Sequence, residues 1–183
     1  VGNLGEPGQP DFAKGLERFR KNPLFRGVRY GNLWGSDLVQ TGSRKELIAD
    51  MKRLADADLS LDVANPNPGL VAAVVRLSDQ VPNLRIVIDH LPQLTIPESG
   101  SARRIYETHL SEIGKHPQIF VKLSQIFRKR PDGSVIKDLG SYKAGLESLF
   151  GTFGEDRVIF GSDWPNSDNW VTYDEVFGLV RDF

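Results

Sequence analysis

The chain has 183 residues, of which 39% are hydrophobic, 26% charged and 9% aromatic, the profile of one soluble globular domain rather than of a disordered, fibrous or membrane chain. Lys and Arg number 23 against 24 Asp and Glu, a formal net charge of -1, so no basic excess marks nucleic acid or anionic lipid as a partner. With 0 cysteines, disulfides, thiolate metal sites and a Cys nucleophile are excluded, and no uninterrupted apolar run approaches the length of a membrane span. The first residue is Val1 rather than Met and nothing at the start has the pattern of a signal peptide, so a mature form or a fragment is expected. A cytoplasmic location is the default expectation, with export left open, and the oligomeric state is not legible.

Val1 to Leu4 reads as the tail of a strand, because the turn-like Gly5-Glu6-Pro7-Gly8 and then a helix follow it. That helix has Phe12, Leu16 and Phe19 on one face. Apolar, β-branched runs at 25–30, 59–64, 84–89, Ile119–Leu123 and Val158–Phe160 read as short buried strands. Between them lie segments of helical spacing. Leu47, Ile48, Met51 and Leu54 form one face, opened by Ser43 and Glu46 at capping-box separation. Leu70, Val74, Leu77 and Val81 form the next, ended by Pro82; Ile105, Leu110 and Ile113 precede Pro117. Tyr142, Leu146 and Leu149, then Val176, Phe177 and Val180, mark the last two.

Strict alternation of strand and helix predicts an α/β fold with a parallel sheet, because a parallel strand pair needs a crossover and a helix fills it. The strand starts recur at close to the ~31 residues per unit that a ~250-residue (β/α)₈ barrel gives, so the chain holds about six units. A six-unit doubly wound sheet and a barrel without its first units both fit. No linker, low-complexity tract or repeat divides the chain, and residues 1–183 are read as one domain.

In either architecture the active site forms at the C-terminal ends of the strands. Those ends carry Arg29 and Tyr30; Asn65 and Asn67; Asp89 and His90; Ser124 and Gln125; and Asp163 and Trp164. Strand alternation predicts that an inward His90 brings Ile86 and Ile88 inward, and an inward Asp163 brings Ile159 and Gly161. His90 and Asp163 would then meet over the mouth. A backbone-satisfied core histidine and a turn-capping aspartate are the blander readings. His109, on a charged helix, and His116, at a helix end, are not expected to be catalytic. Arg29 facing inward offers a planar fork for a carboxylate or polarised carbonyl, against the alternative of an ion-paired arginine. Asp62 and Lys122 share inward parity and suggest an internal ion bridge. Trp34, Trp164 and Trp170 serve a pocket or the core. A Walker A loop, a G-x-G-x-x-G turn, a G-x-S-x-G elbow, an H-E-x-x-H pair and a calcium loop are all absent from the sequence.

Phe25-Arg26-Gly27-Val28-Arg29, Leu61-Asp62-Val63, Ile86-Val87-Ile88-Asp89-His90-Leu91, Val121-Lys122-Leu123-Ser124 and Ile159-Phe160-Gly161-Ser162-Asp163-Trp164-Pro165 together resemble the amidohydrolase superfamily. Within it they are similar to the amidohydrolase-related branch that includes sugar lactonases and the 2-pyrone-4,6-dicarboxylate lactonase. The resemblance covers nearly the whole chain. It implies a (β/α)₈ TIM barrel of the amidohydrolase type, present as a fragment from about the end of strand 3 to strand 8. The family's first strand supplies a His-x-His pair, and this sequence contains none, so the fragment is expected to expose strand edges, to be unstable and to be inactive.

By the same resemblance His90 and Asp163 are the strand-6 histidine and strand-8 aspartate, catalytic in metal-free members and ligands in others. Strand 4 ends in Arg29 rather than lysine and strand 5 runs into Asn65 rather than histidine, which argues against a binuclear centre. One zinc held by His90 and Asp163, and no metal, both stay open. The implied reaction is lactone hydrolysis: Asp163 takes a proton from the attacking water, His90 steadies the oxyanion, and Arg29, Tyr30, Asn65 and Trp164 hold a small-molecule substrate. A metal-dependent decarboxylase of the same superfamily and an inactive or binding remnant are the alternatives. The loops 32–42 and 125–140 are expected to carry substrate choice.

Overall fold

The computed structural model describes residues 1–33, 35–64, 66–91 and 100–183. Helix α1 (Pro10–Phe19) is followed by β1 (Gly27–Arg29), the short α2 (Leu38–Thr41), α3 (Lys45–Asp56), β2 (Ser60–Val63) and α4 (Pro68–Gln80). Then come β3 (Ile86–Ile88), α5 (Gly100–Gly114), β4 (Ile119–Leu123), α6 (Gly140–Phe153), β5 (Val158–Phe160) and α7 (Tyr173–Arg181). A 3₁₀ turn, Glu155–Arg157, leads into β5 and another, Asn166–Asn169, follows it. Among the described residues, no helix is long and apolar enough to cross a membrane.

The five strands form one parallel sheet in the order β1-β2-β3-β4-β5. This order decides between the two architectures. A doubly wound sheet reverses direction at a switch point, whereas strands in chain order with right-handed crossovers keep every helix on one face, as in a barrel wall. Gly2 extends the wall before β1 through a parallel bridge to Val28, with Gly2 N–H on Gly27 O at 3.0 Å and Arg29 N–H on Gly2 O at 2.8 Å. The expected strand tail is therefore present.

Val28, Leu61, Val63, Ile86, Ile88, Ile119, Val121 and Leu123 point to the helix layer and are buried with Phe12, Leu47, Met51, Leu70, Leu77, Ile113 and Leu146 in one core. The helix starts follow local chemistry. Asn67 caps α4 by accepting from Leu70 N at 2.9 Å with Pro68 at the first turn, and Thr172 and Glu175 form a capping box on α7.

Four expectations change. The strand Val158–Phe160 is not buried: Ile159 and Phe160 are exposed, because β5 is the last strand of the sheet. Ser43 does not open α3; the helix begins at Lys45 after Arg44, whose N–H is held by Thr41 O at the end of α2, a helix too short to show a period. Ile105 is exposed, because the buried side of α5 runs through Tyr106, Leu110 and Ile113 instead. Phe177 is also exposed, and Val176 and Leu179 are buried in its place; Phe177 lies against Phe160 of β5 and Tyr173.

Gly27 lies where β1 and β2 approach closely, and a Cβ there would come within 2.5 Å of Ser60 O. Gly145, on the exposed side of α6, has nothing within 4 Å. We expect Gly27→Ala to lower stability by about 1–3 kcal/mol through overpacking and Gly145→Ala to raise it by roughly 0.5–1 kcal/mol through chain entropy, as read by denaturant unfolding.

Candidate active site

The inner face of the sheet, opposite the helices, is polar. Register aligns Arg29 with Asp62, Asp62 with Val87, and Val87 with Phe120, and one step further along sets Asp89 beside Lys122 and Lys122 beside Ile159. On this face Lys122 Nζ donates to Asp62 Oδ2 at 3.1 Å and also to Asp89 Oδ1. Arg29 Nη2 lies 2.6 Å from Asp89 Oδ2, a Coulombic contact outside hydrogen-bond geometry, since that oxygen accepts no hydrogen bond. The Asp62 and Lys122 bridge expected from parity is present, and Asp89 turns it into a four-residue lattice. Arg29 is ion-paired within it while its side chain stays 28% exposed.

Burial is the largest influence on Asp62 and raises its carboxyl above the ordinary range; Lys122 opposes the rise and Asp89 adds to it. Burial alone would lower Lys122, but Asp89 and Asp62 outweigh it and hold the ammonium above its ordinary value. Asp89, with its side chain wholly buried, has both Lys122 and Arg29 beside it, whereas among the described residues Asp62 is ion-paired with Lys122 alone.

Beyond the lattice the strand ends converge. His90 Nδ1 lies 2.7 Å from Ser124 Oγ, and His90 Nε2 faces Asp163 Oδ1 at 3.7 Å. Gln125 Nε2 donates to Asp163 Oδ2, and Asn166 Nδ2 reaches Oδ1 at 3.5 Å. Burial lowers the His90 imidazole below its ordinary value against the pull of Asp163 and Asp89, so the neutral ring is favoured.

The alternation expected to deliver His90 is corrected. Ile86 and Ile88 face the helices and Asp89 takes the inner face, so an extended residue 90 would point outward. His90 returns to the inner face because its φ is 60°, a left-handed conformation that costs a non-glycine residue about 1–2 kcal/mol. Gln125, at φ 49°, turns in the same way at the end of β4, whereas Asp163, also at φ 60°, already shares the parity of Ile159 on the inner face. Gly161 does share the inner face, since a Cβ there would meet the Lys122 side chain at 3.2 Å.

The other expected site residues are less gathered. Tyr30 sits in the helix-side core, its hydroxyl donating to Glu6 Oε1 at 2.7 Å and sharing a 2.9 Å bond with Thr41; burial first of all pushes its phenol up to about 12. Trp164 is 64% exposed, with its indole N–H on Asp168 Oδ2 at 2.9 Å. Trp170 is also exposed and stacks under Lys129 at 4.2 Å, and Asn65 and Trp34 lie outside the described residues. Ser124 and Gln125, which the sequence does not single out for a role, hold the expected pair, and Asp89 anchors the lattice beside it. Their position at strand ends is visible in sequence, but a left-handed backbone at a glutamine or histidine is not.

For a metal, His90 and Asp163 offer one nitrogen and one oxygen donor. A catalytic zinc takes three protein ligands, and no group of three or more His, Cys, Asp or Glu able to hold an ion is gathered among the described residues. The described residues do not make up such a set.

The family model described as amidohydrolase matches residues 2–181. An L-fucono-1,5-lactonase of Burkholderia ambifaria is 29% identical over 152 residues, which is 80% of this chain and 48% of that protein. The chain thus spans about half the length of that relative. An amidohydrolase of Burkholderia multivorans, solved with bound zinc, superimposes with a TM-score of 0.79 at 23% identity, over 100% of this chain and 64% of that one. A Pseudomonas putida structure provisionally described as a 2-pyrone-4,6-dicarboxylic acid hydrolase gives a TM-score of 0.66 at 19% identity, over 99% of this chain and 63% of that one. These two likenesses carry the fold, and with the strand order they make the sheet the wall of a TIM barrel.

The lattice makes a pH-dependent contribution to stability. A raised Lys122 contributes stability that is complete below its unfolded value of about 10.4 and is lost as pH rises through the higher folded value, while a raised Asp62 weakens the fold as pH climbs past about 3.9. Denaturant unfolding at neutral pH should show Lys122→Met losing about 3–5 kcal/mol, because it leaves buried carboxylates unpaired, and Asp62→Asn staying within about 1 kcal/mol of the parent or gaining.

Proposed function

Because the chain belongs to the amidohydrolase family, we propose that it works in hydrolysis of a lactone, with Asp163 as general base and His90 as the donor to the developing oxyanion. The observation that carries this reading is the facing of His90 Nε2 and Asp163 Oδ1 across 3.7 Å, each ring and carboxylate held from behind by a residue of the β4 end. A donor and a base so placed stand at the C-terminal ends of parallel strands, where barrel active sites form. The lactonase names of the curated relatives favour a sugar-acid lactone over the carboxylate of a decarboxylase.

In this mechanism water attacks the ring carbonyl as Asp163 Oδ1 takes its proton, and the carbonyl π electrons move to the oxygen that accepts from His90 Nε2–H. Collapse re-forms the carbonyl and breaks the ring C–O bond. The proton on Asp163 passes to the leaving alkoxide, giving the hydroxy acid with atoms and charge balanced. Arg29, still partly exposed, and Trp164, next to Asp163 in the chain, are proposed to bind the substrate, with Asn65 as a further candidate; Tyr30, buried on the helix side with its hydroxyl held by Glu6 and Thr41, drops out of that role. Zinc, the ion bound by the Burkholderia multivorans neighbour, would polarise the carbonyl if His90 and Asp163 met further ligands, but no step above depends on it.

The test is turnover of sugar 1,5-lactones by the product of the intact gene and by its Asp163→Asn variant. Loss of a general base should lower kcat by about 10²–10⁴-fold with KM little changed. Equal turnover by the variant would overturn the assignment.

A further inference from the structure

Two consecutive residues at the end of β4 each grip one member of the proposed pair. Ser124 Oγ meets His90 Nδ1 at 2.7 Å, and Gln125 Nε2 donates to Asp163 Oδ2. On an extended strand, consecutive side chains point to opposite faces, so an inward Ser124 would send Gln125 outward. The φ of 49° at Gln125 turns it back, and strain at a non-glycine residue persists only where surrounding contacts hold it.

The direction of the Ser124 bond follows from burial. Ser124 is 0% exposed, and among the described residues its hydroxyl has no hydrogen-bond partner other than His90 Nδ1. If Nδ1 carried the imidazole proton, the hydroxyl would have to accept, and its own hydrogen would be buried without an acceptor. A hydroxyl donating to Nδ1 satisfies both groups. A neutral imidazole has one proton, which is then on Nε2, the nitrogen that faces Asp163 Oδ1.

We infer that Ser124 and Gln125 are a positioning pair: Ser124 fixes His90 as the Nε2–H tautomer aimed at Asp163, and the Gln125 amide occupies Oδ2 so that Oδ1 is the oxygen that exchanges protons. Their use in turnover rests on the lactone hydrolase reading. The tautomer is a property of the folded chain and is measured without substrate.

The experiment is a long-range ¹H–¹⁵N spectrum of the ¹⁵N-histidine protein where the rings are neutral, with His109→Gln and His116→Gln assigning the other signals. The parent should show His90 protonated at Nε2, and Ser124→Ala should convert it to a mixture or to the Nδ1–H form. A parent ring protonated at Nδ1, or an Nε2–H form that persists unchanged in Ser124→Ala, overturns the inference. The parent spectrum decides the matter even if the variant does not fold. With the intact gene product, Ser124→Ala and Gln125→Met should each lower kcat about 10–100-fold with KM changed less than about 3-fold. Parent-level kcat in both variants also overturns it. The predicted tautomers with no lactone turned over by the parent would retire the function and leave the positioning intact.

Discussion

Lys122 is shared by two carboxylates from neighbouring strands, and the inner face of the sheet is organised around that sharing. A parallel sheet buried on both sides ordinarily carries apolar residues on each. Here one side carries Arg29, Asp62, Asp89 and Lys122, whose removal from water is costly unless each charge finds a counter-charge. The lattice meets that condition with two cations and two anions. It also ties β1, β2, the end of β3 and β4 to one another through side chains, in addition to the backbone ladder. Asp89 is followed by His90, and Ser124 lies two residues after Lys122, so the groups that set the inner face also set where the site begins.

Backbone conformation then does what alternation cannot. His90, Gln125 and Asp163 each follow directly or closely on a strand and each adopts positive φ; at His90 and Gln125 this reverses the side that alternation would give, and both turn toward Asp163. Strain of this kind clusters at functional sites because the surrounding structure must over-determine it. A binding remnant would have no evident need for positive φ at a facing histidine and carboxylate and at the glutamine that holds the carboxylate. That convergence, together with family membership, is why hydrolysis is preferred here to a purely structural role.

Much of this organisation is legible in the sequence, for identifiable reasons. The five strands and the long helices follow from apolar period and turn residues, and the pairing of Asp62 with Lys122 follows from parity on short strands. The strand order, which separates a barrel wall from a doubly wound sheet, does not, because both arrangements give the same alternation of elements. Ser43 and Glu46 have the spacing of a capping box without being one, since α2 displaces the start of α3, whereas Thr172 and Glu175 form a box that the apolar pattern of α7 does not announce. His90 and Asp163 are singled out by position and chemistry, but Ile86 and Ile88 do not share the inner face with His90, because positive φ reverses the parity after Asp89. Tyr30 shows the opposite limit: a strand-end position alone does not tell that a hydroxyl is already satisfied by Glu6 and Thr41.

One coupled charge lattice holds the inner face on which the candidate site depends. A double-mutant cycle on unfolding free energy, with Lys122→Met, Asp89→Asn and the two combined, tests it most directly. Strong non-additivity is expected, a coupling of about 1–3 kcal/mol, because either change alone strands a charge that the other would remove. Additivity within about 0.5 kcal/mol would mean that the two residues act independently and would contradict it.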